Sequence, residues 1–200
     1  RYFDERETMI ELHRVSKETN VHVILDMDEP GKSSIKTELA FLNHMLTAMS
    51  FHGRFRLNLV ATGDVDVDPH HLIEDTGLVI GSAFEQVRLK SDGIKRYGSA
   101  LIPMDDALSE VVVDAGGRPY LCWNVNWAQP RAGNLDLSLL RDFFWGLATG
   151  GKMNLHLSVR YSENGHHAAE ALFKAVGFAI REAYKPSQGG TARMSTKGII

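Results

Sequence analysis

Apolar residues along the chain follow two periods in turn. Phe55, Leu57, Leu59 and Ala61 alternate with Arg54, Arg56 and Asn58, and Met153, Leu155, Leu157 and Val159 alternate with Lys152, Asn154 and His156. Alternation of this kind predicts strands buried on one face. Upstream of the first lie Phe41, Leu42, Met45, Leu46 and Met49, and upstream of the second Leu139, Leu140, Phe143, Phe144 and Leu147. These recur at three and four, as the buried stripe of a helix does. Gly53 and Gly150-Gly151 stand where the caps of those helices are expected. Downstream of each strand comes a longer helical stripe. Leu72, Thr76, Val79, Ile80, Ala83, Phe84 and Val87 form one, and Ala169, Leu172, Phe173, Val176, Ile180 and Ala183 the other. Two further strands are expected at the front of each half, over 20–27 and 34–38, then over 107–114 and 120–127. The turn Gly116-Gly117-Arg118-Pro119 predicts that the last two form a hairpin.

Each half thus reads β-β-α-β-α, which predicts an α+β fold of duplicated half-domains, with mixed sheets and helices on one face of each. The repeat extends to chemistry: His70-His71-Leu72-Ile73-Glu74 recurs as His166-His167-Ala168-Ala169-Glu170, at an offset of 96 (166 − 70). The division expected is an N-terminal extension (1–14), a first half (15–95), a second half (96–186) and a tail (187–200), the halves meeting near 94–104.

Composition narrows the function. Two hundred residues can bury about 70% of the unfolded surface without staples. The net charge of −3 gives no footprint for nucleic acid. The sole cysteine, Cys122, excludes an intrachain disulfide and fits a reducing, cytoplasmic setting. No apolar run approaches a membrane span, and the mixed, charged residues 1–14 are unlike a signal peptide. Histidine is the unusual residue, with four of nine in the two adjacent pairs.

On a helix, residues three or four apart share a face, while adjacent ones diverge by about 100°. Glu74 can face one ion with either His70 or His71, but the two histidines point apart, so each H-H-x-x-E motif suits two different ions. One histidine near a helix start is ordinarily a half-exposed polar residue. Duplication at the same place in a repeat favours ligands instead. Each half also carries one extra histidine, placed differently. His44 corresponds to Asp142 (44 + 98) and His156 to Asn58 (58 + 98). Imidazole and carboxylate without thiolate suit Mn, Fe, Zn or Ni. His13 and His22 read as ordinary surface residues, and His52 as a partner for a helix C-terminus.

Several runs resemble the imidazoleglycerol-phosphate dehydratase family: Phe41-Leu42-Asn43-His44-Met45-Leu46, Asp68-Pro69-His70-His71-Leu72-Ile73-Glu74-Asp75, Arg96-Tyr97-Gly98, Gly117-Arg118-Pro119-Tyr120, Gly165-His166-His167 through Glu170-Ala171-Leu172-Phe173-Lys174-Ala175, and Ser195-Thr196-Lys197-Gly198. The resemblance implies a hydro-lyase of histidine biosynthesis that converts imidazole glycerol phosphate to imidazole acetol phosphate. It implies two Mn²⁺ per subunit, held by His44, His70, His71, Glu74, His156, His166, His167 and Glu170. One ion would take His44, His71 and Glu74 with a histidine of the second motif, and the other His70, His156 and Glu170 with the remaining one. Catalytic roles would fall to Glu18, His71 and Glu170. Substrate contacts would come from Glu18, His44, His52, His70, His71, Glu74 and Lys174, with Arg96, Arg118, Ser195 and Lys197 on the phosphate. The family also implies a homo-oligomer of twenty-four subunits built from trimers. The chain departs from it at Asn43, where aspartate is common, at Thr47-Ala48, and over 1–14.

The substrate hydrogen to be lost is not beside a carbonyl, so direct elimination is slow. An imidazole ring stripped of its proton can expel the neighbouring hydroxyl, and two cations suit that ring. A dinuclear metallohydrolase and a non-enzymatic metal-binding α+β module are the competing readings. The first commonly mixes more aspartate into its site, and the second has no use for Glu18.

Overall fold

The computed structural model describes residues 9–28 and 31–187. The first half contains strands β1 (Met9–Val15), β2 (Thr19–Asp26) and β3 (Ser34–Lys36), helix α1 (Ala40–Gly53), strand β4 (Arg56–Gly63) and helix α2 (His70–Lys90). The second contains β5 (Tyr97–Met104), β6 (Ala107–Asp114) and β7 (Tyr120–Asn124), a small hairpin of β8 (Arg131–Ala132) and β9 (Leu135–Asp136), helix α3 (Leu140–Gly150), strand β10 (Asn154–Tyr161) and helix α4 (Gly165–Ala183). The two main sheets have the same order, β1-β2-β4-β3 and β5-β6-β10-β7. In each, only the last pair is parallel. The protein is therefore an α+β duplication with mixed sheets.

The apolar faces of both sheets turn inward. Val21, Val23, Leu25, Leu57 and Leu59 line one, and Val111, Val113, Leu155 and Leu157 the other, all buried against the helices in one continuous core. Each such side chain contributes about 1.5–3 kcal/mol by leaving water. The helices pair across the halves, α1 against α4 and α2 against α3. The second pair meets through glycine: a Cβ on Gly77 would lie 2.1 Å from the Phe143 carbonyl oxygen, and one on Gly146 would lie 2.4 Å from that of Glu74. This cross-pairing sets the start of each motif helix beside the first half-turns of a helix from the other half.

Three sequence expectations are corrected. Residues 107–114 and 120–127 do not form a hairpin, because β10 lies between β6 and β7. After the turn the chain is captured by the start of β10: Tyr120 N–H bonds Met153 O, and the Asn154 amide bonds Arg118 O at 2.6 Å. Gly151 is the cap of α3, as expected, but α1 is capped by Arg54, and the left-handed residues after the two helices are not glycines. They are Arg54 (φ 52°) and Lys152 (φ 44°), at equivalent places. Gly53 closes α1 because a Cβ there would strike the Phe55 ring at 2.3 Å. Each half also begins with a strand that the alternation did not reveal. In β1 only Ile10 is deeply buried, and in β5 the first inward positions, Gly98 and Ala100, are small where α4 lies on them. A Cβ on Gly98 would meet Ala179 O at 2.0 Å.

Candidate metal centre and active site

Each His-His motif opens a helix, and each helix start is fixed by a side chain just before it. Asp68 Oδ1 accepts from His70 N–H at 2.7 Å. Asn164 Oδ1 accepts from His166 N–H at 2.8 Å and from His167 N–H at 3.3 Å. These bonds fix where each helix, and with it each histidine pair, begins.

At the start of α4, donors converge. His44 Nε2, from α1, and His166 Nε2 each lie 3.2 Å from Glu170 Oε2. The ligand atoms of these three residues lie within 4.8 Å of one another. Burial pushes the Glu170 carboxyl up. The bond and charge of Lys174, 2.8 Å away, and the bonds from His44 and His166 outweigh it, and the group is held below its ordinary value. A group of two imidazoles and an ionised carboxylate fits a divalent ion with nitrogen and oxygen preference. His52 lies further along α1, its ring 5.7 Å from that of Phe178 on α4. Burial and then the Lys174 charge lower its pKa.

At the start of α2 the equivalent residues sit differently. His70 Nε2 lies 3.3 Å from Glu74 Oε2, and its Nδ1 lies 3.3 Å from Asp142 Oδ2 on α3. The second histidine of each motif gives Nδ1 to an aspartate. His71 meets Asp64 at 3.2 Å and His167 meets Asp106 at 2.5 Å. These bonds raise both histidine pKa values and hold Asp106 well below the carboxylate range. A carboxylate on Nδ1 fixes the tautomer and leaves Nε2 to face an ion. Asp64, Asp106 and Asp142 were not among the sequence candidates. Each sits outside the H-H-x-x-E pattern, and only the fold brings it to its histidine.

Glu18 lies in the β1–β2 turn, with its carboxylate 4.0 Å from His71 Nδ1. Its position is set by backbone, since Glu18 O accepts from Asp64 N–H, and by the neighbouring ties of Arg14 and Thr19 to Asp75 on α2. Arg96 adopts φ 72° at the start of β5 and grips Asp114 at 2.6 and 3.0 Å. Arg118 is exposed on the β6–β7 loop. His156 is exposed on β10, on the sheet face turned away from the helices, with the Tyr120 ring 6.4 Å away. Within one chain, then, His44, His166 and Glu170 come together and His70 and Glu74 pair, rather than His44 with Glu74 and His70 with Glu170 as the resemblance implied, and His71, His167 and His156 stand at separate places. Ser195 and Lys197 lie outside the described residues.

The chain is also similar to known proteins in sequence and fold. The family profile described as imidazoleglycerol-phosphate dehydratase matches residues 37–180. Proteins of that name from Lacticaseibacillus casei and Methanococcoides burtonii are 45% and 46% identical, each over 94% of this chain and 96% of its own length. A crystal structure of IGPD from Pyrococcus furiosus in complex with (S)-C348 superposes with a TM-score of 0.83 at 38% identity, covering 94% of this chain and 100% of that one. The Staphylococcus aureus dehydratase superposes at 0.81 with 34% identity, covering 90% and 99%. Matched over 94% of its length in sequence and in fold, and carrying imidazole pairs at both motif helices, this chain belongs to the imidazoleglycerol-phosphate dehydratase family.

Proposed function

We propose that this chain removes water from imidazole glycerol phosphate to give imidazole acetol phosphate, using two Mn²⁺ per subunit and the residues named below. Family membership makes it a hydro-lyase of histidine biosynthesis. The observation that carries the finer reading is the convergence of His44, His166 and Glu170, repeated in altered form at His70 and Glu74. Bound cations supply electrostatic stabilisation to a ring that must carry negative charge.

The chain's own groups do the rest. His44, His166 and Glu170 hold one centre, and His70 and Glu74 belong to the other. His71, His167 and His156 complete them from neighbouring copies, since each stands apart within one chain. Glu18, beside His71, moves the proton of the reacting carbon or hydroxyl as a general acid or base. His52 and Lys174 contact the substrate. Arg96 and Arg118, with Ser195 and Lys197 of the tail, grip the phosphate through charge-assisted bonds. That grip positions the reacting carbons. The assembly proposed is a particle of twenty-four subunits built from trimers, in the cytoplasm. No described helix is long and apolar enough to cross a membrane.

The test is Glu18→Gln assayed on imidazole glycerol phosphate after loading with Mn²⁺. Turnover should vanish while metal content stays at the wild-type level. Wild-type kcat would remove Glu18 from the reaction.

A further inference from the structure

We propose that Glu11, His13 and His22 form a further divalent-cation site on the outer face of the β1–β2 ribbon, apart from both metal centres, and that an ion there fastens the edge strand β1 to its sheet. The site does not depend on the reaction assigned to the chain.

Strand register brings the donors together. β1 and β2 run antiparallel with His13 directly opposite His22. Opposed side chains on one face have Cβ atoms about 4.5–5.5 Å apart, and diagonal neighbours still lie within reach. Glu11 and Asn20 are the diagonal neighbours. Glu11 Oε1 lies 2.7 Å from His22 Nε2, and Asn20 Oδ1 lies 2.7 Å from His13 Nε2. The two imidazoles meet edge to face with centroids 5.5 Å apart. A tetrahedral ion about 2.0–2.1 Å from one nitrogen of each ring would hold the centroids about 5 Å apart. The rings thus stand near the separation of two ligands, and turning them exchanges two separate contacts for one shared centre. Nothing on this face repels a cation. Arg14 is the one lysine or arginine of β1 and β2, and it turns to the helix side to meet Asp75. Across β2, His22 faces Val60 and Asn20 faces Thr62. Two imidazoles with a carboxylate suit Zn²⁺, Ni²⁺ or Cu²⁺ above Mn²⁺, which stands lowest in the order of affinities. β1 is an edge strand with only Ile10 deeply buried, so a tie to β2 adds what its packing lacks. An ion there also stiffens the ribbon whose turn carries Glu18.

The experiment dialyses the assembled, Mn²⁺-loaded protein against Zn²⁺ at about pH 8, above the ordinary imidazole range, and measures both metals per chain. Wild type should hold one more Zn²⁺ per chain than the double variant His13→Gln, His22→Gln. Zinc that displaces manganese from the two centres enters both proteins alike, so the difference isolates the ribbon. Glu11→Gln should bind the extra ion roughly tenfold or more weaker, since a direct ligand counts for no less than a supporting partner. None of the three residues belongs to the proposed catalytic set, so turnover with Mn²⁺ and the circular dichroism spectrum should stay at wild type. Zn²⁺ should slow hydrogen exchange over β1 in wild type and not in the double variant. Equal zinc content in wild type and the double variant overturns the site. Binding unchanged in Glu11→Gln overturns the three-residue donor set, and unslowed exchange in zinc-bound wild type overturns the fastening role. Zinc-soaked crystals of wild type read the site without any variant. An anomalous difference peak is expected between His13 and His22, and its absence there overturns the proposal.

Discussion

A histidine serves as a reliable ligand only when its ring is held still, and aspartates do the holding here. Asp106 is the busiest. It accepts from His167 Nδ1 and from the backbone N–H groups of Glu163 and Asn164, at 2.6 and 2.8 Å, just before α4. One carboxylate thus fixes both the approach to the helix and the ring at its start. Asp106→Ala should weaken Mn²⁺ binding about tenfold or more and also lower the melting temperature, since Glu163 N–H loses its acceptor and Asn164 N–H keeps only Ser162 Oγ. Titration calorimetry and a thermal melt read the two effects. A variant with unaltered metal affinity would show that His167 needs no such support. The motif histidines were legible in the sequence because the pattern repeats within itself. Their partners were not, since Asp106 is 61 residues from His167 and Asp142 is 72 from His70 (142 − 70), and neither belongs to a local pattern.

At the level of elements, the close crossing of α2 and α3 decides where His70, Glu74 and Asp142 meet. Gly77→Ala would place a methyl 2.1 Å from the Phe143 carbonyl, so the helices must separate. Overpacking of this kind costs about 1–3 kcal/mol. For a chain of this length that lowers Tm by roughly 2–4 °C per kcal/mol, which calorimetry would detect. An unshifted melt would show that the pair yields without strain. The four helices and the strands β2, β4, β6 and β10 were readable because each buries one continuous apolar face. The first strand of each half was not. β1 carries charge and histidine outward with one deeply buried residue, and β5 begins its inward face with glycine and alanine under α4. The pairing of β7 was misread for a related reason. A turn rich in glycine announces a reversal without saying how many strands the chain steps across.

At the scale of the whole molecule, the ligand candidates outnumber those that one chain brings together. If neighbouring copies complete the centres, metal binding and association are linked, because an ion that binds only the assembled form stabilises it. Chelation should shift the protein to a smaller species and Mn²⁺ should restore the larger one, followed by light scattering behind size exclusion with metal measured in the same fractions. A single size with and without metal would confine the centres to single subunits. The shared strand order of the two sheets has its own consequence. Had the halves remained separate polypeptides joined as twins, every substitution would have appeared in both, and positions 44 and 142 could never have differed. Once they were fused, each half became free to diverge. A histidine on one side and an aspartate on the other is a difference that only a chain inheriting both copies of its ancestor can hold.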